Sequence, residues 1–239
     1  MKIGIVGSKG RMGQTLMDEV FKTEGVVLAG GIDQGDNYEA FIANCDAIID
    51  FTAPEASLNF AWEAAKYNKI HVIGTTGFSN EDIAKLRQYS AEAKIFWSPN
   101  MSIGVNLVAM LTAQAATLLD DSYDIEILEM HHKHKVDSPS GTALLLGEAA
   151  SAGRGVQFVR DVKHDRNGAR VPGEIGYAVL RGGSVIGDHT VIFAGENDRI
   201  EITHKSSSRN IYARGAIRAA RWLEARNFGF YTMQDMLRF

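Results

Sequence analysis

Five short apolar runs dominate the first hundred residues: KIGIV (2–6), VVLAGGID (26–33), DAIIDFT (46–52), IHVIGTTG (70–77) and AKIFWS (93–98). Each is nearly continuous rather than alternating, which marks a strand buried on both faces. Between them lie segments with helical spacing. Arg11–Thr23 places Met12, Leu16 and Val20 four apart on one face, and 56–67 and 80–92 are also helical. Such strands alternating with amphipathic helices predict an α/β, Rossmann-like domain with a parallel sheet covered on both sides.

Beyond SPNMSIGVN (98–106) the pattern changes. A helix is expected at Val105–Leu119, a strand at YDIEILEMHH (123–132) and a helix from Ala143 to about Ala152. The stretch 176–206 reads as consecutive strands broken at RGGS and GEND, two hairpin turns with antiparallel pairing. This half is therefore an α+β unit with a mixed or antiparallel sheet, and an amphipathic helix follows at Ile211–Glu224.

A net charge of −4 over 239 residues argues against binding nucleic acid through bulk electrostatics. One cysteine, Cys45, excludes an internal disulfide and fits a reducing compartment; it is expected in the core. No run approaches the roughly eighteen consecutive apolar residues of a membrane span, and the N-terminus enters a strand at once, without the pattern of a signal peptide. A soluble, cytoplasmic protein is expected.

The turn after the first strand, GSKGRMG, carries glycines at 7, 10 and 13 directly before a helix. Glycine lets the backbone turn sharply and approach a pyrophosphate, and the helix start offers free N–H groups and a positive dipole end. Arg11 adds a fixed charge. Twenty residues past Gly13, Asp33 closes the second strand, where an acid accepts hydrogen bonds from adenosine ribose hydroxyls. Its charge would repel a 2′-phosphate, and Gln34 does not offset it, so NADH is expected to be preferred. Lys9 and Arg11 leave NADPH open. GTTG (74–77) and SPNM (98–101) close later strands on the same edge and are expected to flank the nicotinamide; simple turns are the alternative.

EMHHKHKVDSPSGTA (129–143) packs three histidines and two lysines before a helix start. Three readings compete: a metal site, a solvated basic loop and an anion-binding catalytic site. Adjacent His131 and His132 point opposite ways on a strand and the lysines repel a cation, so no metal is expected. The anion site accounts for more residues at once. Ser140, Gly141 and Thr142 open a helix, Lys135 brings charge, and histidine supplies a proton exchangeable near neutral pH.

These motifs, with DFT and SPNMSIGVN, together resemble the dihydrodipicolinate reductase family, and the likeness runs from the first strand to EITHKSSSRN (201–210). The resemblance implies NAD(P)H-dependent reduction of a cyclic unsaturated dicarboxylate on the diaminopimelate route to lysine. It makes His131 the proton donor, with Lys135 beside it in the catalytic group, and gives the substrate carboxylates to His132, Lys135, Gly141 and Thr142, next to Ser140. It gives the cofactor to Gly7, Ser8, Lys9, Gly10, Arg11, Met12, Asp33, Gly74, Thr75, Thr76, Ser98, Pro99, Asn100 and Met101. It implies a homotetramer joined through the substrate-domain sheets, and a division into a dinucleotide-binding domain (1–101 and 210–239) and a substrate-binding and oligomerisation domain (102–209). Gln34 and the methionine of SPNM depart from the family's frequent residues. Two rivals remain: another two-domain dehydrogenase of small amino or keto acids, and an NADH-sensing regulator without turnover.

Overall fold

The computed structural model describes residues 1–158 and 168–237, so the expected domain spans also include residues, 159–167 and 238–239, that lie outside the described ones. In chain order the elements are β1 (Lys2–Val6), α1 (Arg11–Lys22), β2 (Val27–Ile32), α2 (Tyr38–Ala43), β3 (Ala47–Asp50), α3 (Pro54–Lys66), β4 (Ile70–Ile73), α4 (Asn80–Tyr89) and β5 (Lys94–Trp97). There follow α5 (Ile103–Leu118), β6 (Asp124–His131), α6 (Gly141–Arg154), β7 (Ile175–Arg181), β8 (Gly187–Ala194), β9 (Arg199–Ser206), α7 (Asn210–Glu224), β10 (Gly229–Tyr231) and α8 (Met233–Leu237). They fall into two compact units, residues 1–103 with 209–239, and residues 104–208. Among the described residues no helix is long and apolar enough to cross a membrane.

The first unit is the expected Rossmann-like sheet. Its strand order is β10-β5-β4-β3-β1-β2, and every pairing is parallel. Both faces of the central strands are buried, so both parities along them are apolar. Ile3, Ile5, Ala47, Ile49 and Val72 pack with Leu16 and Val20 of α1 and with Ala213, Ala216, Ile217 and Leu223 of α7. Ile48, Ile73 and Ile95 point the other way, with Cys45, Ala61, Ala64 and Leu86. Each fully buried aliphatic side chain contributes about 1.5–3 kcal/mol of transfer free energy.

α7 joins this unit because its buried face is mostly alanine and glycine, with Ile217 and Leu223, which lets it sit close against the sheet. A Cβ on Gly215 would lie 1.8 Å from the Met101 carbonyl oxygen. At the other end, Lys94 Nζ donates to the Leu223 and Glu224 carbonyls at 3.0 and 2.9 Å, satisfying groups that a helix end leaves open. The chain then adds β10 beside β5, a strand that sequence patterning misses because three half-buried residues carry no periodicity.

The second unit holds a four-stranded mixed sheet ordered β7-β6-β8-β9. β6 and β8 alternate buried and half-buried residues, and the buried set packs against α5 and α6 through Val108, Ala116, Leu146, Ile125, Ile127, Val191 and Phe193. The GEND turn joins the expected antiparallel hairpin, β8 to β9. RGGS does not: β7 pairs parallel with β6, β8 pairs antiparallel with β6, and β6 lies between them. Residues 182–186 are enough chain to pass one strand, since two strand spacings are only about 10 Å. Local turn chemistry cannot reveal a strand inserted from 50 residues earlier.

Substituting Gly215→Ala is expected to lower unfolding free energy in urea by at least about 2 kcal/mol, because a methyl group would overlap backbone that cannot rotate away. An unchanged urea midpoint would contradict the close packing of α7.

Candidate active site

The glycine turn lies at the carboxyl end of β1, where β1 neighbours β2 on one side and β3 on the other, the switch point at which open α/β sheets bind ligands. Gly7 adopts φ +73°, and a Cβ on Gly13 would lie 2.2 Å from the Gly7 carbonyl oxygen, so only glycine allows α1 to start so close to the turn. Gly10 caps α1 without a side-chain hydrogen bond, and no acid occupies the first turn. The first N–H groups of the helix are thus left for an anion. Asp33 Oδ2 accepts from Ser8 Oγ at 2.7 Å and the Lys9 N–H at 3.0 Å, which fixes the acid at the rim of this cradle.

The other expected cofactor residues divide between surface and interior. Lys9, Gly10, Arg11, Thr76 and Pro99 are exposed, and Gly7, Met12, Asp33, Gly74 and Asn100 are half-buried. Ser8, Thr75, Ser98 and Met101 are buried, at 8%, 3%, 3% and 1% exposure. Met101 packs in the core, and Ser98 Oγ donates to the Asn100 carbonyl at 2.7 Å. Those two side chains shape the SPNM loop from beneath.

In the second unit, the apolar face of the sheet turns polar toward one end. Along β6 the inward positions run Ile125, Ile127, Glu129, His131; register sets His189 opposite Glu129 and Arg181 opposite His131. Glu129, with 1% exposure, is the hub. Arg181 grips it with Nη1 to Oε2 at 3.0 Å and Nη2 to Oε1 at 3.1 Å; the Ser140 N–H donates to Oε1 at 2.9 Å and His131 Nδ1 meets Oε2. Burial alone would raise the Glu129 carboxyl, but Arg181, the Ser140 amide and His131 hold it below the usual range. Burial pushes the His131 imidazole down, helped by Lys135 and Arg181 and opposed by Glu129. Its resting form is neutral, with the Nδ1–H donating to the Glu129 carboxylate.

His189 stands edge-on to His131, ring centroids 5.0 Å apart, and its Nε2 lies 3.1 Å from Ser140 Oγ. Burial and the neighbouring His131 depress it to about 4. Glu129, His131 and His189 bring potential metal-ligand atoms within 4.8 Å of one another. Both Glu129 oxygens are already taken by donors, however, and the Arg181 guanidinium beside them opposes a cation.

Ser140 is turned inward. Its N–H goes to Glu129, its Oγ accepts from the Ala143 N–H at 3.2 Å as the N-cap of α6, and it is 2% exposed. The next two residues of this helix start, Gly141 and Thr142, are exposed and half-buried. Lys135 is tethered nearby to Asp137 at 2.9 Å, and His132, just past the end of β6, is half-buried. Arg181, His189 and the hub role of Glu129 escape motif reading. The i, i+2 spacing of Glu129 and His131 signals a shared strand face, but the partners on β7 and β8 need the sheet register.

Residues 1–101 match the family model described as dihydrodipicolinate reductase, N-terminus, and residues 104–237 that described as dihydrodipicolinate reductase, C-terminus. The chain is 47% identical over 264 residues to the 4-hydroxy-tetrahydrodipicolinate reductase of Parvibaculum lavamentivorans, covering 99% of this chain and 97% of that one. It is 48% identical over 265 residues to the protein of the same name in Agrobacterium fabrum, covering 99% and 96%. Among solved structures, a dipicolinate-bound dihydrodipicolinate reductase from Paenisporosarcina sp. TG-14 shares the fold at TM-score 0.83 and 24% identity, covering 100% of this chain and 99% of that one. A probable dehydrogenase from Thermotoga maritima follows at TM-score 0.64 and 12% identity, covering 98% and 92%. The chain belongs to the dihydrodipicolinate reductase family.

Proposed function

We propose that this protein reduces 4-hydroxy-tetrahydrodipicolinate to tetrahydrodipicolinate with NAD(P)H, in the diaminopimelate route of lysine biosynthesis in the cytoplasm. The observation that carries the reading beyond its relatives is the Glu129–His131–Arg181 cluster, built beside the open start of α6 and Lys135. Such a group suits a small dianion that must be held and protonated, and neither a keto-acid dehydrogenase nor an NADH sensor explains it.

The dinucleotide, when bound, supplies the hydride. This chain's residues do the rest. The Gly141 and Thr142 backbone and Lys135 offset the two carboxylates, and His132 adds a further polar contact. His131, its Nδ1 fixed on Glu129, exchanges a proton at Nε2, and a Cβ on Gly187 would lie 3.0 Å from that atom, so glycine keeps the approach clear. The arriving dianion raises the affinity of the imidazole for a proton and so charges the group that must donate. The first unit presents Gly7–Met12 to the pyrophosphate and Asp33 to the adenosine ribose. The Asp33 carboxylate disfavours a 2′-phosphate, so NADH is the better cofactor. The open face of the second sheet, with Ala178 and Leu180 exposed near half-buried Leu128, Met130 and Ile192, supports assembly into a homotetramer; sedimentation is expected to give four chains per particle, and a monomer contradicts it.

The test is nicotinamide absorbance with freshly generated substrate. His131→Gln is expected to cut kcat by about 10²–10⁴-fold and change the substrate KM by only a few-fold. Lys135→Ala is expected to raise that KM at least about tenfold, the loss of one charge-assisted contact. Wild-type kcat/KM should favour NADH over NADPH. Collapse of binding with intact kcat in His131→Gln would make His131 a binding group only, and no turnover by the wild type would sink the reading.

A further inference from the structure

Asp50, the last residue of β3, and His71 of β4 are both fully buried, with Asp50 Oδ2 3.4 Å from His71 Nε2. They share the sheet face of Ile48 and Ile73, which packs against α3 and α4. Neither Oδ2 nor either ring nitrogen of His71 makes a hydrogen bond among the described residues. Burying a carboxyl and an imidazole is costlier than burying the apolar residues that fill the rest of β3 and β4. The cost falls where two candidate cofactor loops begin.

Asp50 Oδ1 accepts from the Thr52 N–H at 2.9 Å, from Thr52 Oγ1 at 2.6 Å and, more distantly, from Thr75 Oγ1 at 3.5 Å. Thr75 Oγ1 in turn accepts from the Thr52 N–H and from Ser57 Oγ, each at 2.9 Å, while Trp97 Nε1 donates to the Thr75 carbonyl at 3.1 Å. The carboxyl ends of β3, β4 and β5 are thereby tied together below the surface. The Thr52 methyl also limits Gly7: a Cβ there would lie 2.8 Å from it. The Thr75 side chain points into this network, so within GTTG the faces left for a ligand are the backbone and exposed Thr76.

We propose that Asp50, backed by His71, is a positioning residue for the nicotinamide half of the dinucleotide, acting through Thr52 and Thr75 without touching the ligand. The proposal rests on the nucleotide site of the reductase reading. The half follows from topology: β1 and β2 carry the pyrophosphate turn and the ribose acid, and β3, β4 and β5 form the other half of the fold.

The experiment measures Kd without dicarboxylate for NADH, by its fluorescence, and for ADP-ribose, which lacks the nicotinamide, by calorimetry. Asp50→Asn and Thr75→Val are expected to weaken NADH at least about tenfold while ADP-ribose stays within about twofold, and Thr75→Ser, which keeps the hydroxyl, to restore wild-type affinity. Urea midpoints identify any variant that does not fold; if Asp50→Asn is one, the Thr75 pair decides. Equal loss for both ligands, or NADH within about twofold of wild type in Thr75→Val, overturns the proposal. A wild type that binds NADH but reduces no dicarboxylate overturns the reductase reading instead and leaves this comparison standing.

Discussion

The second unit is organised around one buried negative charge. A lone carboxylate at the depth of Glu129 would cost several kcal/mol in lost hydration, and removing one partner of such a pair typically costs about 3–5 kcal/mol. The charge persists because the fold delivers donors from three directions: Arg181 from β7, the Ser140 amide from the start of α6 and His131 from its own strand. Those partners are in turn fixed by it. The Ser140 bond pins the loop-to-helix junction, and Ser140 Oγ caps the Ala143 N–H, so α6 starts in one place. The His131 bond decides which ring nitrogen carries the proton. A single electrostatic constraint thus fixes both the start of α6 and the orientation of the His131 ring.

The first unit solves a different problem by different means. Its binding edge is built by removing side chains, with Gly7, Gly10 and Gly13 clearing the turn and Gly215 bringing α7 onto the SPNM loop backbone. Charge enters sparingly. Asp33 is held by Ser8 and Lys9 at the rim, and Glu19, 3% exposed, joins α1 to α7 by accepting from Asn210 and Arg214, each at 2.9 Å. Burial would raise the Glu19 carboxyl, but Arg214 and Asn210 hold it below the ordinary range, so the link stays ionised at neutral pH.

Much of this was legible in the residues. Strands buried on both faces leave nearly continuous apolar runs, and β1, β3, β4 and β5 were read from them. The strand expected at 123–132 set His131 and His132 on opposite faces. What escaped depends on register or on very short elements. Arg181 and His189 sit in strands that look ordinary alone and become site residues only because β6 lies between β7 and β8. The same insertion defeated the hairpin expected at RGGS. β10 is too short for any period, and the inward turns of Ser140, Thr75 and Met101 depend on tertiary hydrogen bonds and packing that motif spacing does not encode.

We propose that His131 rests neutral against an ionised Glu129 and gains a proton when a dicarboxylate binds. Nitrogen chemical shifts of His131, recorded at pH 7 with and without pyridine-2,6-dicarboxylate, read this directly. The expected result is a neutral ring with its proton on Nδ1 in the free protein and a doubly protonated ring in the complex. A ring that is already charged when free, that carries its proton on Nε2, or that is unchanged on binding would contradict it.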